Sequence, residues 1–226
     1  MNEKQVYSAQ TDVLGAGSTV STNKVLKNTY MLLGMTLAFS AATAGIAMAL
    51  GLPPMAGLML MVVGFGLLFV VNRMADSAKG LPAIFAFTGI MGAALGPTLN
   101  YYVALPGGPS MIMQALGGTA LVFFSLSAYA LTSRKDFSYM GGFLMTGLIV
   151  AIVASIANIF MGIPALSLTI SAAIIMIMSG LILFDTSRII NGGETNYIRA
   201  TVSLYLNIYN LFINILHLLG AFGGDD

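Results

Sequence analysis

Apolar runs near 20 residues long recur along the chain from Lys27 onward, separated by short polar connections. Their approximate limits are 29–50, 55–72, 82–103, 111–132, 138–161, 166–187 and 198–220. At a rise of about 1.5 Å per residue, each run is long enough to cross the roughly 30 Å hydrocarbon core as an α-helix. The pattern therefore predicts an all-α integral membrane protein with seven transmembrane helices.

The last run differs from the others because it carries a polar stripe. At about 100° per residue, one face collects Asn196, Arg199, Ser203, Asn207, Asn210, Asn214 and His217. Amides and an imidazole are costly to expose to lipid, so this face is expected to be the most buried part of a C-terminal helix that lies inside the bundle. The opposite face, which includes Leu204 and Leu211, is expected to be free to face lipid.

The amino-acid composition supports a membrane location and argues against several classes of function. Hydrophobic residues make up 58% of the chain and charged residues 8%, with a mean hydropathy of +0.91. Soluble domains carry about a quarter charged residues. A net charge of +1 provides no basic surface for nucleic acid, and the absence of cysteine excludes disulfides and thiolate sites. We expect the lipid bilayer as a partner, and no nucleic acid and no cofactor.

The runs and their flanks define three regions. Residues 1–24 are polar and rich in Ser, Thr and Gly, which predicts a disordered tail. Residues 25–222 form the seven-helix transmembrane domain, and residues 223–226 form a short acidic C-terminus.

The basic residues indicate an orientation in the membrane. All nine fall on the side of the N-terminus and of the loops that follow even-numbered runs: Lys4, Lys24, Lys27, Arg73, Lys79, Arg134, Lys135, Arg188 and Arg199. By the positive-inside rule, this side is cytoplasmic and the C-terminus is periplasmic. We therefore expect a multipass protein of a bacterial inner membrane.

Helix three contains features typical of close packing. Gly89, Gly92 and Gly96 lie on or near one face, as small residues do where membrane helices approach each other. The dipeptide Gly96–Pro97 is expected to kink the helix because proline removes a backbone donor. Sixteen methionines scatter without paired spacing and are interpreted as packing residues and not as metal ligands.

No catalytic constellation is visible in the sequence. The chain has one histidine, no cysteine and no second carboxylate within an apolar run to pair with Asp185. We expect a protein that is not an enzyme and that binds no structural metal. For His217, a hydrogen-bonded interfacial imidazole is favoured over a metal ligand or proton relay.

Asp185 is the most informative single residue. An ionised carboxylate in a membrane helix costs about 2.5–3.5 kcal/mol even on lenient insertion scales, so it needs a partner or a proton. An ion pair with Arg73, Arg188 or Arg199 would close the cytoplasmic side of the bundle as a latch. The alternative is a pH-sensing gate, in which loss of charge separates helices six and seven. The asparagine stripe likewise admits two interpretations, interhelical hydrogen bonding or the lining of a pore.

Several segments resemble a known family. Leu183–Thr186, Ile189–Ala200 and Ser203–Phe212 resemble the closing signature of the transmembrane Bax inhibitor motif family. Leu116–Phe124 and Phe85–Gly89 extend the resemblance to nearly all runs. It implies a fold in which six helices surround the last one, in agreement with the polar stripe.

The resemblance implies two different functions. Bacterial members are described as modulators of FtsH, a membrane-anchored quality-control protease, and other members as pH-sensitive calcium leaks. In the leak members, an aspartate pair joins helices six and seven; Asp185 matches the first position, Asn207 stands at the second, and Arg73 lies about where a basic partner is found. Because this chain lacks the pair, we expect a modulator that the protease grips by the N-terminal tail. A Ca²⁺ or cation leak is the alternative.

Overall fold

The structure is a computed structural model that describes the backbone of residues 3–223 and the side chains of residues 22–223. Its helices are α1 Glu3–Ala49, α2 Pro54–Met74, α3 Gly80–Val103, α4 Gly108–Ser133, α5 Gly141–Met161, α6 Pro164–Ile190 and α7 Tyr197–Phe222, with a 3₁₀ turn at Ser138–Met140 before α5. Within these described residues, seven helices are long and apolar enough to cross a membrane. The predicted all-α fold with seven transmembrane helices is confirmed.

Helix α1 begins well before its membrane-spanning stretch, which starts at Thr22. The disordered tail predicted over residues 1–24 is instead helical from Glu3 onward. A helix that has already formed extends at little cost, and the chain has no proline before Pro53 to stop it. At the other end, the predicted acidic C-terminus lies outside the described residues except for Gly223.

The three connections on the predicted outer side are short and built alike. Each contains a glycine with a left-handed backbone, at Gly51, Gly107 and Gly162, where φ is between +63° and +68°. Each also places a proline in the first turn of the following helix. Glycine adopts positive φ without strain and proline fits a helix start because its missing N–H is not needed there. These residues therefore end one span and begin the next within a few positions.

Helix α3 packs tightly against α1 through its glycines. A side chain at Gly89, Gly92 or Gly96 would collide with residues of α1, so the predicted role of these glycines in close helix packing is confirmed. The helix continues through Pro97 to Val103 without interruption. The kink at Gly96–Pro97 stays a prediction.

Helix α7 is the central helix of the bundle. It packs against α6, α4, α1 and α3, while α2 packs on α3 and α5 on α6. Leu204 and Leu211, which the sequence placed on a face free for lipid, are fully buried. That prediction is wrong because neighbouring helices enclose α7 on both its polar and its apolar face. The leucines on the apolar face therefore pack in the core of the bundle. The predicted ring of six helices around α7 is wrong in detail, because four helices pack on α7 and the other two, α2 and α5, pack on α3 and α6.

Candidate functional site

The interface between α6 and α7 holds the only acidic residue in the seven spans. Asp185 lies near the end of α6 and is 9% exposed. Its Oδ2 accepts a hydrogen bond of 2.7 Å from the side-chain amide of Asn207 on α7, which is also buried. The structure therefore joins the two positions at which the family resemblance places an aspartate pair, with an amide in place of the second acid.

The arginines expected to pair with Asp185 lie elsewhere. Arg188 is 3.8 Å from the Glu194 carboxylate, Arg199 pairs with Asp76, and Arg73 is exposed. Among the described residues no salt bridge reaches Asp185, so the predicted ion pair is not formed. Pairing at the helix ends leaves a guanidinium partly hydrated, whereas bringing it to a buried carboxylate would strip its water.

A polar cluster fixes the start of α7 to the connection between α2 and α3. The Asn196 side-chain oxygen accepts hydrogen bonds from the backbone N–H groups of Ile198 and Arg199 and so caps the helix. Its amide nitrogen donates to the Ala75 carbonyl and to Asp76, which Arg199 also contacts. Asn196 and Arg199, taken from the sequence as the beginning of the stripe, therefore serve as a helix cap and a loop anchor.

Ser187 holds the connection between α4 and α5 against α6, and sequence reasoning missed it. Its Oγ donates to the Lys135 carbonyl at 3.1 Å and accepts from the Phe137 N–H at 3.0 Å and the Asn191 amide at 3.1 Å. The residue is fully buried. A serine two positions after Asp185 carried no periodic signal, because two of its three partners are backbone atoms of a distant loop.

The remaining stripe residues divide into two groups. Asn207 and Asn214 are buried, as expected for the most buried face of the helix, whereas Ser203 and Asn210 on the same face are only half-buried. The amides of Asn210 and Asn214 each donate to a carbonyl one turn earlier in α7. These two bonds stay within the helix, and among Ser203, Asn207, Asn210 and Asn214 only Asn207 donates its amide to another helix.

A polar cavity lies toward the other end of the same interface. It has a volume of about 210 Å³ and is lined by residues of α5, α6 and α7: Ser155, Asn158, Ile159, Ser167, Ile170, Ser171, Ile174 and Asn214. Beside it, the His217 Nδ1 lies 2.8 Å from the Ser171 hydroxyl. The imidazole is thus hydrogen-bonded between helices, as the favoured interpretation of His217 expected.

Tyr205 is the second residue that the sequence did not single out. It is 1% exposed, its hydroxyl lies 2.8 Å from the Ser40 hydroxyl on α1, and it donates to the Thr88 carbonyl on α3 at 3.4 Å. Tyrosines in membrane helices gather at the interfaces. A tyrosine in the middle of a span is therefore unusual, and this position would have identified Tyr205 from the sequence.

The described residues present little further chemistry. No group of three or more His, Asp or Glu side chains among them lies close enough to hold a metal ion. Asp185 has an amide as its hydrogen-bond partner and His217 a serine. The arrangement joins helices and offers one buried carboxylate.

Comparisons with known proteins cover almost the whole chain. The family described as Bax1-I, Inhibitor of apoptosis-promoting Bax1, matches residues 22–224. The chain is 55% identical to an Escherichia coli K12 protein named modulator of FtsH protease YccA, over 92% of this chain and 94% of that one. It is 53% identical to an uncharacterized membrane protein of Vibrio cholerae, with the same coverage. An uncharacterized Pseudomonas aeruginosa protein is 48% identical over 89% of this chain and 91% of its own.

Proposed function

The chain belongs to the Bax inhibitor family of membrane proteins, and from that premise we propose that it binds and modulates a membrane-anchored quality-control protease of the FtsH type. The observation that carries this proposal is the 55% identity to the relative named a modulator of that protease. The proposal places the protein in a bacterial inner membrane, with the N-terminus in the cytoplasm. It acts by contact, without chemistry of its own.

The outer faces of α2 and α5 are accessible to a partner inside the membrane. They carry exposed aromatic residues such as Phe69 and Phe160, which pack against lipid when no partner is bound. A partner anchored in the same bilayer reaches these helices by lateral diffusion. Residues outside the membrane then provide a second contact.

The N-terminal segment is the part by which we expect the protease to hold this chain. It precedes the first span at Thr22 and is the longest segment outside the spans. A membrane-anchored unfoldase needs a segment that it can pull from one end of the chain. We expect deletion of residues 2–20 to slow degradation of this protein or to abolish its effect on the protease.

The proposal is tested by co-purification from solubilised membranes. Tagged full-length chain is expected to retain the protease, and an unrelated seven-span protein with the same tag and expression level is expected not to retain it. Equal recovery of the protease on both would refute the proposed function. Unchanged degradation and activity after deletion of residues 2–20 would refute the N-terminal mechanism alone.

A pH-sensitive calcium leak is the second candidate. One observation favours it: the interface between α6 and α7 has a buried carboxylate toward one end and a polar cavity toward the other. Ca²⁺ takes about 6–8 oxygen ligands, usually including several carboxylates, and this interface supplies one. The modulator therefore ranks first. Calcium flux through proteoliposomes that contain this chain alone, measured from about pH 6 to pH 8, separates the two.

A further inference from the structure

The polar cavity between α5, α6 and α7 lies near the ends of these helices on the side of the C-terminus. Ser167 is three residues from the start of α6, and Asn158 is three residues from the end of α5. Asn214 lies furthest from a helix end among the polar lining residues, eight residues before the end of α7. At about 1.5 Å per residue, the cavity therefore extends roughly 12 Å inward, less than half of the ~30 Å hydrocarbon core.

Three polar groups in the lining have no hydrogen-bond partner among the described residues. The Asn158 amide oxygen accepts a bond from the Ile163 N–H, but its NH₂ group donates to no other residue. The Asn214 NH₂ group donates to the Asn210 carbonyl, which leaves the Asn214 amide oxygen without a partner. The Ser167 hydroxyl forms no bond at all. The lining therefore presents both donors and acceptors that are not used within the protein.

These three groups can be reached by a small molecule in the cavity. Among the described residues, the polar side-chain atoms that are both fully enclosed and without a partner are the hydroxyl oxygens of Ser127 and Tyr209. The free atoms of Asn158, Ser167 and Asn214 are not in that group and so keep accessible surface. Asn158 and Ser167 are half-buried, and Asn214 is 9% exposed.

Water is the occupant that fits this lining. An occupant has to donate a hydrogen bond to the Asn214 oxygen and accept one from the Asn158 NH₂ group, and a lipid tail does neither. The cavity has a volume of about 210 Å³, and a water molecule takes roughly 30 Å³, so several waters fit. None of the lining residues is charged, and the connections on this side, 50–53, 104–107 and 162–163, contain no Asp, Glu, Lys or Arg. An ion would therefore find no opposite charge here.

We propose that this cavity is a water-filled pocket, open to the aqueous phase on the side of the C-terminus. Its water bonds to Asn158, Ser167 and Asn214 and reaches the Ser171 hydroxyl, which also lines the pocket. The bond between Ser171 and His217, which joins α6 to α7, is then hydrated although it lies within the spans. This inference goes beyond the proposed function and does not depend on it, because it concerns this chain alone.

Cysteine accessibility tests the pocket, and the chain has no native cysteine to interfere. Ser155→Cys and Ser167→Cys each place a thiol in the lining. A charged, membrane-impermeant methanethiosulfonate reacts with the thiolate, and a thiolate forms where water can solvate it. The reagent is applied to the full-length protein in membrane vesicles, from one side at a time. A cysteine added after Asp226 marks the side of the C-terminus.

Ser179→Cys is the matched control for Ser155→Cys. Both serines are half-buried, and each hydroxyl donates to the carbonyl four residues earlier in its own helix, but Ser179 does not line the pocket. Both pocket variants are expected to react at least about tenfold faster than Ser179→Cys, and from the same side as the marker after Asp226. No reaction in the pocket, equal rates at Ser179, or reaction only from the opposite side would overturn the proposal.

Filling the pocket gives a second measurement. Ser155→Leu combined with Ser167→Cys fills the space from α5 without removing a bond between helices, since the Ser155 hydroxyl bonds within its own helix. The Ser167→Cys reaction is expected to slow about tenfold, because the leucine displaces the water. Ala157→Leu, on the exposed surface of α5, is the control and should leave the rate unchanged. An unchanged rate with Ser155→Leu would overturn the proposal. Should Ser155→Leu not fold, the comparison with Ser179→Cys decides.

Discussion

The Asn207 side-chain amide donates a 2.7 Å hydrogen bond to the Asp185 carboxylate, and this contact joins α7 to α6. Both side chains are buried, so the bond is shielded from water and lipid alike. An amide satisfies one carboxylate oxygen without adding a second acid. The pair is therefore interpreted as a structural latch between the central helix and its neighbour.

We expect Asp185→Ala and Asn207→Ala to be coupled energetically. A double-mutant cycle on the free energy of unfolding in mixed micelles should give a coupling of about 0.6 kcal/mol, and up to about 1.7 kcal/mol, the measured range for hydrogen bonds between membrane helices. The control cycle combines Asp185→Ala with Arg188→Ala. Because Arg188 lies beside Glu194, that coupling should be smaller. A larger coupling to Arg188 than to Asn207 would contradict the latch.

The substitution Asn207→Asp is expected to create pH-dependent calcium flux. It places two carboxylates within hydrogen-bonding distance of each other, and two acids at that distance share a proton. The measurement is flux into liposomes from about pH 6 to pH 8, in comparison with the parent chain. The parent should show little flux. Strong pH-dependent flux in the parent would place the leak ahead of the modulator.

Tyr205→Phe is expected to destabilise the bundle by about 1 kcal/mol, the usual net value of a hydrogen bond. The change removes a hydroxyl that links α7 to Ser40 on α1 and to the Thr88 carbonyl on α3, and it keeps the ring. Tyr101→Phe is the control because that ring is exposed, and its effect should stay within about 0.5 kcal/mol. The free energy of unfolding measures both. Equal effects would show that the Tyr205 hydroxyl does not link the helices.

The spans and the central helix were predictable from the sequence because hydropathy and polar periodicity report directly on the bilayer. The burial of two leucines on α7 was not predictable. Leu204 and Leu211 are as apolar as lipid tails, so composition cannot tell whether a lipid or another helix covers them. The neighbours of α7 settle that question, and the sequence does not specify those neighbours by any local pattern.

The partner of Asp185 shows a second limit of sequence reasoning. Spacing placed Arg188 one turn away, and the family resemblance identified Asn207 as the facing position on α7. It did not reveal that Glu194 and Asp76 would attract Arg188 and Arg199 instead. Ser187 and Tyr205 escaped notice for the same reason, since their partners are distant backbone and hydroxyl groups. Hydrogen bonds between single polar residues far apart in the chain produce no periodic pattern in the sequence.

The orientation in the membrane gives a further prediction. Because all nine Lys and Arg residues map to one side, a reporter fused before Met1 should be cytoplasmic and one fused after Asp226 should be periplasmic. Paired alkaline phosphatase and fluorescent protein fusions report on each side. Cytoplasmic reporters at both ends would be incompatible with an odd number of spans.

We propose that this protein modulates a membrane-anchored protease by direct contact. The most direct measurement is the degradation rate of a membrane substrate by a purified FtsH-type protease in liposomes, as the amount of this protein is increased. We expect a saturable change in that rate, and no change when a chain lacking residues 2–20 is added. A degradation rate that stays constant at every ratio of the full-length protein to the protease would contradict it.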